Sequence, residues 1–365
     1  MKSLPKKPDL DFLKKQAKKL RALHRQRSDL CLNSIREFDT SFTHKSDAEI
    51  FEFNFSLNDA QRIIAREYGY SSWATLKHYI QSLSSHLYNG VTDKKAYHNV
   101  ITDSYDERSK DYDSSEWHRG LALQTVDYDL PKKAQKVLDI ATGTGTIAFY
   151  AADLVGPDGS VIGIDISQGM LAKCREKLAE STYKNLTFEY GDAENLKFKP
   201  NSFDRIYCSS AFFWMSHPQA VLRHWIELLK PNGVIGFNAW PDSSFVWGAA
   251  RRKALKKYGI DFTIHQATGT MQKCKQMLML AGYEDIKIHE VKDGHYIPKD
   301  KISHPETIND KDYAPGQYPH PITGVPDEIL RKVAADLEVE VKKHTTDKGL
   351  WHDMTMYYVY GKKQI

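Results

Sequence analysis

The sequence is poor in cysteine and has no long apolar run. Four of its 365 residues are cysteines (Cys31, Cys174, Cys208 and Cys274), and no two of them form a Cys-x-x-Cys pair. A disulfide framework and a cysteine-rich zinc site are therefore disfavoured, and a reducing cytoplasm suits the chain. No apolar stretch approaches the roughly 20 residues that a membrane span needs. His-Glu-x-x-His is also absent, so we expect a cytoplasmic protein without a metal site.

Neither sign of charge dominates the chain. Fifty-one Lys and Arg against 47 Asp and Glu leave a net charge of +4, too small a surplus to imply a nucleic-acid partner. The excess is local, because ten Lys or Arg fall in the first 27 residues; with no apolar h-region there, we expect no signal peptide. Leu10, Leu13, Ala17 and Leu20 recur at helical spacing. This predicts an amphipathic helix with a solvated basic face; a surface for an acidic partner is the alternative.

The length of the chain indicates two domains. A second helical pattern begins at Leu57, so residues 1–86 are predicted to form a helical accessory domain. The stretch "LNDAQRIIAREYGYSSWATLKHYI" resembles a short helical module at the N-terminus of many bacterial proteins, which implies an accessory role and no chemistry. Residues 84–103 are polar and are predicted to be a linker, and residues 87–365 are assigned to the second domain.

From residue 136 onward, short apolar strands alternate with helices. Strands are expected at 136–140, 161–164, 186–190, 205–209 and 234–237. The helices between and after them are expected at 146–155, 167–178, 218–229, 268–281 and 327–343, with two late strands at 285–290 and 354–360. This alternation predicts an α/β fold with a doubly wound parallel sheet.

The glycine-containing segment "VLDIATGTGT" is the clearest functional motif. An apolar strand ends near Asp139, and Gly143 and Gly145 then open a turn into a helix. Glycine permits a close approach of the backbone to a ligand, and the helix N-terminus offers free N–H groups. Asp165 ends the next strand, 20 residues after Gly145, where a carboxylate can accept both ribose hydroxyls. A tight turn without a ligand, a nicotinamide enzyme and a methyltransferase all remain possible at this point.

A third acidic residue separates these possibilities. Asp192, in "YGDAENL", follows the third strand, where its carboxylate can accept a hydrogen bond from an adenine amino group. A nicotinamide-dependent dehydrogenase does not need this acid. Each acid alone could be a helix cap or a solvated loop residue. Three signals at successive strand ends, namely the glycine turn, Asp165 and Asp192, nevertheless indicate one ligand site.

These motifs resemble those of the class I S-adenosylmethionine-dependent methyltransferases, in the branch of the ubiquinone and menaquinone biosynthesis C-methyltransferases. The resemblance covers roughly residues 104–365, and it rests on "VLDIATGTG", "GIDIS", "GDAENLKF", "FDRIYCSSAFFW" and "LLKPNGVIGF". It implies a Rossmann-like methyltransferase sheet whose last strand is antiparallel. Ala141 stands where the family often has glycine, a common departure.

The resemblance also implies a set of residues that bind S-adenosyl-L-methionine. Gly143, Thr144 and Gly145 would line the methionine moiety, and Asp139 and Ala141 belong to the same motif. The other residues of the set are Asp165 for the ribose, Ile166 and Met170 near the adenine, Asp192 and Ala193 at the adenine edge, Ser209 at the amino-acid part, and Tyr112 in the lid.

The acceptor is predicted to lie between three segments. These are a lid at 104–120, the aromatic run Phe212–Trp214, and a proline-rich insertion at 294–325 that is expected to lack regular structure. Methyl transfer needs a base only if the acceptor loses a proton. His217 is a weak candidate for that base, and a structural loop histidine is the preferred interpretation.

The sequence therefore predicts an enzyme that methylates a carbon or oxygen of a small organic acceptor. RNA or protein methylation, with the basic N-terminal domain as the docking surface, is the alternative within the same class. A non-catalytic cofactor-binding module and a nicotinamide-dependent oxidoreductase are the alternatives outside it.

Overall fold

The computed structural model describes residues 10–364, except 69, 71, 75, 78–79, 81–89, 264–266, 304–305 and 309–313. The chain divides into two compact units, Met1–His86 and Leu87–Ile365. Parts of the proline-rich segment therefore lie outside the described residues. None of the helices in the described part of the chain combines the length and apolarity that a bilayer crossing requires.

The described part of the first unit is helical. Its helices are α1 (Leu10–Arg25), α2 (Leu32–Phe38), α3 (Asp47–Glu52) and α4 (Leu57–Glu67). The serines that precede α3 and α4 each form a capping box with an acid three residues later, which satisfies backbone N–H groups that the helix leaves free. The predicted apolar stripe of α1 is confirmed, because Leu13, Ala17 and Leu20 are buried.

The second unit contains the strands of the fold. In chain order they are β1 (Gly90–Val91), β2 (Lys136–Ile140), β3 (Ser160–Asp165), β4 (Leu186–Tyr190), β5 (Phe203–Cys208), β6 (Leu229–Ala239), β7 (Tyr283–Val291), β8 (Gly294–Ile297), β9 (Gln317–Tyr318), β10 (Thr345–Thr346), β11 (Gly349–Asp353) and β12 (Met356–Lys363). Its helices are α5 (Lys94–Arg108), α6 (Glu116–Asp127), α7 (Thr146–Val155), α8 (Gln168–Ala179), α9 (Pro218–Leu228), α10 (Val246–Lys256), α11 (Met271–Ala281) and α12 (Asp327–Lys342).

Seven strands form one mixed sheet, in the order β4-β3-β2-β5-β6-β12-β7. The first five of these strands are parallel, and β12 runs antiparallel between β6 and β7. The predicted α/β fold, a doubly wound Rossmann-like sheet with an antiparallel last strand and a helical N-terminal region, is confirmed. The strand order reverses between β2 and β5, and ligands of such sheets bind at the carboxyl ends of the strands near this point.

Apolar side chains cover both faces of the sheet. Leu138 and Ile140 of β2 belong to one core cluster, which includes α9 and α11. Val137 of the same strand belongs to a second cluster, which includes α7 and α8. Burial on both faces explains why these strands are nearly continuous apolar runs in the sequence.

Three segments differ from the sequence-based expectations. Helix α5 occupies part of the predicted linker at 84–103, so that prediction was wrong from Lys94 onward. The proline-rich segment 294–325 contains β8 and β9, and the expectation that it lacks strands was wrong there. Helix α10 was not predicted. Among the residues of α5 only Tyr97 is buried, so this helix carries no apolar stripe that periodicity could detect.

Candidate functional site

The turn after β2 has three residues in the left-handed region. Ala141, Gly143 and Gly145 have φ values of +53°, +57° and +92°. A Cβ on Gly145 would meet Phe149 and Phe188 at 3.0 Å, whereas one on Gly143 would be 3.7 Å from Tyr112. Gly145 is therefore required by both its conformation and its packing, and Gly143 mainly by its conformation.

Asp165, at the end of β3, is tied to this turn. One carboxylate oxygen accepts the Gly143 N–H at 2.8 Å, and the other accepts the Ser167 N–H at 2.9 Å. Burial raises the pKa of the Asp165 carboxyl to about 6, while these N–H groups act in the opposite direction. The carboxylate is thus held in one orientation at the strand end.

Asp139 lies beneath the same turn and is 1% exposed. Its carboxylate accepts the hydroxyl hydrogen bond of Thr142. Burial, with the Asp165 charge as a further cause, raises the pKa of the Asp139 carboxyl to about 7. The hydrogen bond from Thr142 holds this acid against the loop.

Asp192 follows β4 and makes two polar contacts. Its Oδ1 accepts the Glu194 N–H at 2.9 Å, and its Oδ2 lies 3.2 Å from the Lys94 ammonium of α5. The Trp225 indole N–H donates to the Ala193 carbonyl at 2.8 Å, which anchors this loop to the core.

Ser209, at the end of β5, is held by a buried asparagine that the sequence analysis did not identify. The Asn238 amide donates to Ser209 Oγ at 2.9 Å and accepts the Ser210 N–H at 2.6 Å. Asn238 is 1% exposed on β6, and Ser210 has a φ of +53°. A single polar residue in the apolar stretch "VIGFNAW" was the available signal.

Residues 104–120, which are expected to form a lid, lie within α5, a short 3-10 turn at Tyr112–Ser114 and α6, and these three elements are called the lid below. Asp106 of α5 accepts hydrogen bonds from Ser167 Oγ and from the Gly169 N–H at the start of α8. Asp113 accepts the Thr144 hydroxyl at 2.6 Å and lies 2.7 Å from the Lys177 ammonium. The lid is therefore joined to the strand ends by charged contacts along its length.

Two cavities meet at the strand ends. The smaller, about 90 Å³, lies under α5, and the larger, about 670 Å³, lies between α6 and α7. Both are lined by three residues of the expected set: Tyr112, Ala141 and Ser209. The smaller is also lined by Gly143, Asp165, Ile166, Asp192 and Ala193, and the larger by Asp139 and Thr144. Gly145 and Met170 line neither, and Met170 is fully buried in the first turn of α8.

The small cavity is below the roughly 300–1,000 Å³ that is usual for ligand sites. His98, Ile101 and Tyr105 of α5 close it from the lid side. In this structure α5 therefore narrows the space between the lid and the strand ends.

The aromatic run after β5 does not form one pocket wall. Phe212 is 1% exposed and packs on Trp225 and Phe237. With Phe213 it also lines a separate cavity of about 40 Å³, which Pro315 and Gly316 of the proline-rich segment line as well. Trp214 lines the small cavity beside Asp165 and Asp192, and its indole N–H donates to Tyr105 Oη at 3.0 Å.

Two histidines differ in their relation to the site. His217 precedes α9, is exposed and lines neither cavity. His118 lines the large cavity, and its Nδ1 lies 2.6 Å from Ser115 Oγ. Burial, with the nearby Arg108 charge, lowers the pKa of His118. Among the described residues, no group of three or more His, Cys, Asp or Glu is arranged to hold a metal ion.

Part of the chain is similar to known methyltransferases. A family model described as a methyltransferase domain matches residues 131–289. Aklanonic acid methyltransferase of Streptomyces sp. strain C5 is 31% identical over 146 residues, covering 40% of this chain and 66% of that protein. Demethylmenaquinone methyltransferase of Symbiobacterium thermophilum is 33% identical over 144 residues, covering 36% and 56%. Nocamycin O-methyltransferase of Saccharothrix syringae is 31% identical over 134 residues, covering 36% and 48%.

The chain thus spans about half to two thirds of the length of these relatives. The matched region contains the glycine turn, both acidic strand ends and Ser209. Residues 131–289 therefore match a methyltransferase domain, and this part of the chain is similar in sequence to a menaquinone biosynthesis methyltransferase.

Proposed function

We propose that the protein transfers a methyl group from S-adenosyl-L-methionine to a carbon or oxygen of a small organic acceptor. The observation that carries this proposal is the convergence of Gly143, Asp165 and Asp192 on one cavity, from the ends of three neighbouring parallel strands. These residues fit a nucleoside ligand, because carboxylates accept hydrogen bonds from ribose hydroxyls and from an adenine amino group.

In this proposal the two cavities hold different parts of the cofactor. Asp165 takes the ribose, Ile166 lies near the adenine, and Asp192 and Ala193 take the adenine edge in the small cavity. Thr144, Ser209 and Tyr112 hold the methionine end toward the large cavity. That cavity is lined by charged groups of both signs, Asp127 and Arg119 among them, which suits an amino-acid zwitterion.

The cofactor would supply an activated methyl group on a sulfonium, for an in-line displacement. The protein's part is to position the two reactants and to exclude water. In this proposal α5 covers the small cavity and α6 covers the large one, and this cover both positions the reactants and excludes water. The aromatic residues Tyr105, Tyr112 and Trp214 form apolar walls around the expected position of the nucleoside.

An acceptor that loses a proton needs a base, and His118 is placed better than His217. His118 lines the large cavity, which Ser209 also lines. Its lowered pKa keeps the imidazole neutral near pH 7, so one ring nitrogen can take up a proton. We therefore assign the role of candidate base to His118.

Small-molecule acceptors are supported by the relatives, which are named for the methylation of aklanonic acid, demethylmenaquinone and nocamycin. The four cysteines are buried and unpaired, which suits a reducing compartment such as the cytoplasm.

The experiment is a calorimetric titration of the full chain, followed by a transfer assay. S-adenosylhomocysteine should bind and NADH should not. Transfer of a labelled methyl group should then be measured to a panel of phenols, hydroquinones and β-diketones, and to total RNA. Binding of NADH, or failure to bind S-adenosylhomocysteine, would refute the proposal; labelling of RNA alone would refute the small-molecule acceptor.

A further inference from the structure

Lys94, the first residue of α5, contacts two acidic residues of the loop after β4. Its ammonium lies 3.2 Å from Asp192 Oδ2 and 3.4 Å from Glu194 Oε2. Both acids line the small cavity. No motif in the sequence marks Lys94, which falls in the segment expected to be a linker.

Glu194 is the more buried of the two acids, with 8% of its side chain exposed against 27% for Asp192. It accepts the N–H of Ser216 at 2.7 Å and the hydroxyl of the same serine at 2.5 Å. Its carboxylate is therefore fixed to the loop after β5. A fixed carboxylate beside Asp192 repels the Asp192 carboxylate, and the shared ammonium offsets that repulsion.

The same ammonium also sets the orientation of Asp192. With Oδ1 held by the Glu194 N–H and Oδ2 by Lys94, the carboxylate cannot rotate freely. A carboxylate oxygen accepts hydrogen bonds. The two contacts therefore hold an acceptor at the edge of the cavity in a fixed orientation.

We propose that Lys94 is a positioning residue through which the lid sets base specificity, so that the site takes a 6-amino purine and rejects a 6-oxo purine. This inference rests on the proposed function, because it takes Asp192 as the group that faces the base. A 6-amino group donates to the fixed carboxylate, while a 6-oxo group places a second acceptor against it. A site built to pair with a donor rejects the analogue that lacks it, because its own polar group is left unpaired.

The matched control is Lys95, the next residue along α5. It is exposed and forms no ion pair with any described residue. Lys94→Met removes the cation but keeps much of the side-chain length, and Lys94→Arg restores the charge. Lys95→Met changes the net charge of the lid by the same amount without touching the acids.

The four proteins are titrated calorimetrically with S-adenosylhomocysteine and with S-inosylhomocysteine. The wild type, Lys94→Arg and Lys95→Met should prefer the adenosyl compound by at least about a hundredfold. Lys94→Met should bind S-adenosylhomocysteine roughly tenfold more weakly than the wild type and S-inosylhomocysteine about equally well. The ratio of the two affinities should therefore fall about tenfold. A purely structural role would weaken both ligands equally.

Three outcomes would overturn the inference. Lys94→Met could keep the full preference, lose affinity for both ligands in parallel, or bind S-adenosylhomocysteine more tightly, in which case Lys94 competes with the base. If the wild type binds neither compound, the proposed function itself fails. Wild-type binding with an unchanged preference in Lys94→Met defeats only the role of Lys94.

Discussion

The N–H of Gly143 donates to the carboxylate of Asp165 at 2.8 Å, so the glycine turn after β2 and the acid after β3 are one hydrogen-bonded unit. The positive φ of Gly143 allows its N–H to point toward the end of the neighbouring strand, β3. The second carboxylate oxygen is held by the Ser167 N–H. Two motifs separated by 22 residues thus fix one acceptor group at the cavity wall.

Replacing Asp165 by Ala should weaken S-adenosylhomocysteine binding by tenfold or more. The change removes a charged hydrogen-bond acceptor, typically worth about 1.5–3 kcal/mol, and frees the Gly143 N–H. Calorimetric titration measures the affinity, and circular dichroism checks the fold. Asp158→Ala, at an exposed turn position, is the control and should bind as the wild type does. Equal affinities for the two variants would remove Asp165 from the ribose site.

Replacing Trp214 by Ala should weaken cofactor binding, contrary to what the sequence suggested. The indole lines the cavity that contains Asp165 and bonds to Tyr105 of the lid. We expect a loss of about fivefold or more in S-adenosylhomocysteine affinity. Trp351→Ala, on a half-exposed tryptophan of β11, should have no effect on it. An unchanged affinity in Trp214→Ala would place this side chain outside the cofactor site.

Replacing Ala141 by Gly should leave the protein as stable or make it more stable by up to about 1 kcal/mol. Ala141 has a φ of +53°, which is costly for a residue with a Cβ, while glycine loses more backbone entropy on folding. Ala148→Gly, at a fully buried position inside α7, should lose about 1 kcal/mol or more. Urea unfolding measures both changes, and similar losses in the two variants would contradict strain at Ala141.

Asp139 should make the stability of the protein fall as the pH rises. Its carboxyl has a pKa of about 7 when folded against an ordinary value of 3.8, so the folded protein keeps a proton that the unfolded chain releases. This contribution is complete below about pH 4 and is lost as the pH passes through 7. Relative to Asp139→Asn, the wild-type free energy of unfolding should fall by at most about 4 kcal/mol over this range. Parallel stability curves in urea between pH 4.5 and 7.5 would contradict the shift.

We propose that the second unit folds without the first, provided that β1 is kept. Gly90 and Val91 pair with Gln317 and Tyr318, and the Thr92 N–H donates to the Tyr318 carbonyl at 2.8 Å. A chain beginning at residue 87 should bind S-adenosylhomocysteine within about twofold of the full chain.

A chain beginning at residue 94 loses these pairings and should melt at a lower temperature. Thermal denaturation of the two truncated chains distinguishes them. An insoluble product from residue 87 onward would show that the first unit is needed for folding of the second.

The parallel part of the sheet could be predicted from the sequence because its central strands are buried on both faces, whereas the strand order comes from the structure. Apolar runs such as Val137–Ile140 and Val161–Ile164 alternate with helices, and that alternation fixes a parallel sheet. Helix α5 could not be read in this way, because Tyr97 is its one buried residue. It is held instead by polar contacts to distant loops, including the Tyr97 hydroxyl, which donates to the Trp214 carbonyl and accepts the Gly316 N–H.

The sequence predicted the acids at the strand ends but not the residues that hold the site's side chains in place. Asp165 and Asp192 stand at fixed places relative to strands, so local pattern was sufficient. The hydrogen bonds of Asn238 to Ser209 and Ser210, and the ion pairs of Lys94, join residues that are far apart in the chain. Such contacts depend on the folded arrangement, and single residues such as an asparagine in an apolar strand give only an indirect signal.

The position of β12 has a consequence for how the protein is made. Within the large sheet, β7 is an edge strand that pairs with β12 alone among the described strands. A ribosome synthesises β7 first and reaches β12 only after the strands β8 to β11 and helix α12. Until then one edge of β6 and both edges of β7 are unpaired within this sheet, and unpaired strand edges favour aggregation. Nascent chains should therefore be most dependent on chaperones during synthesis of the segment between β7 and β12.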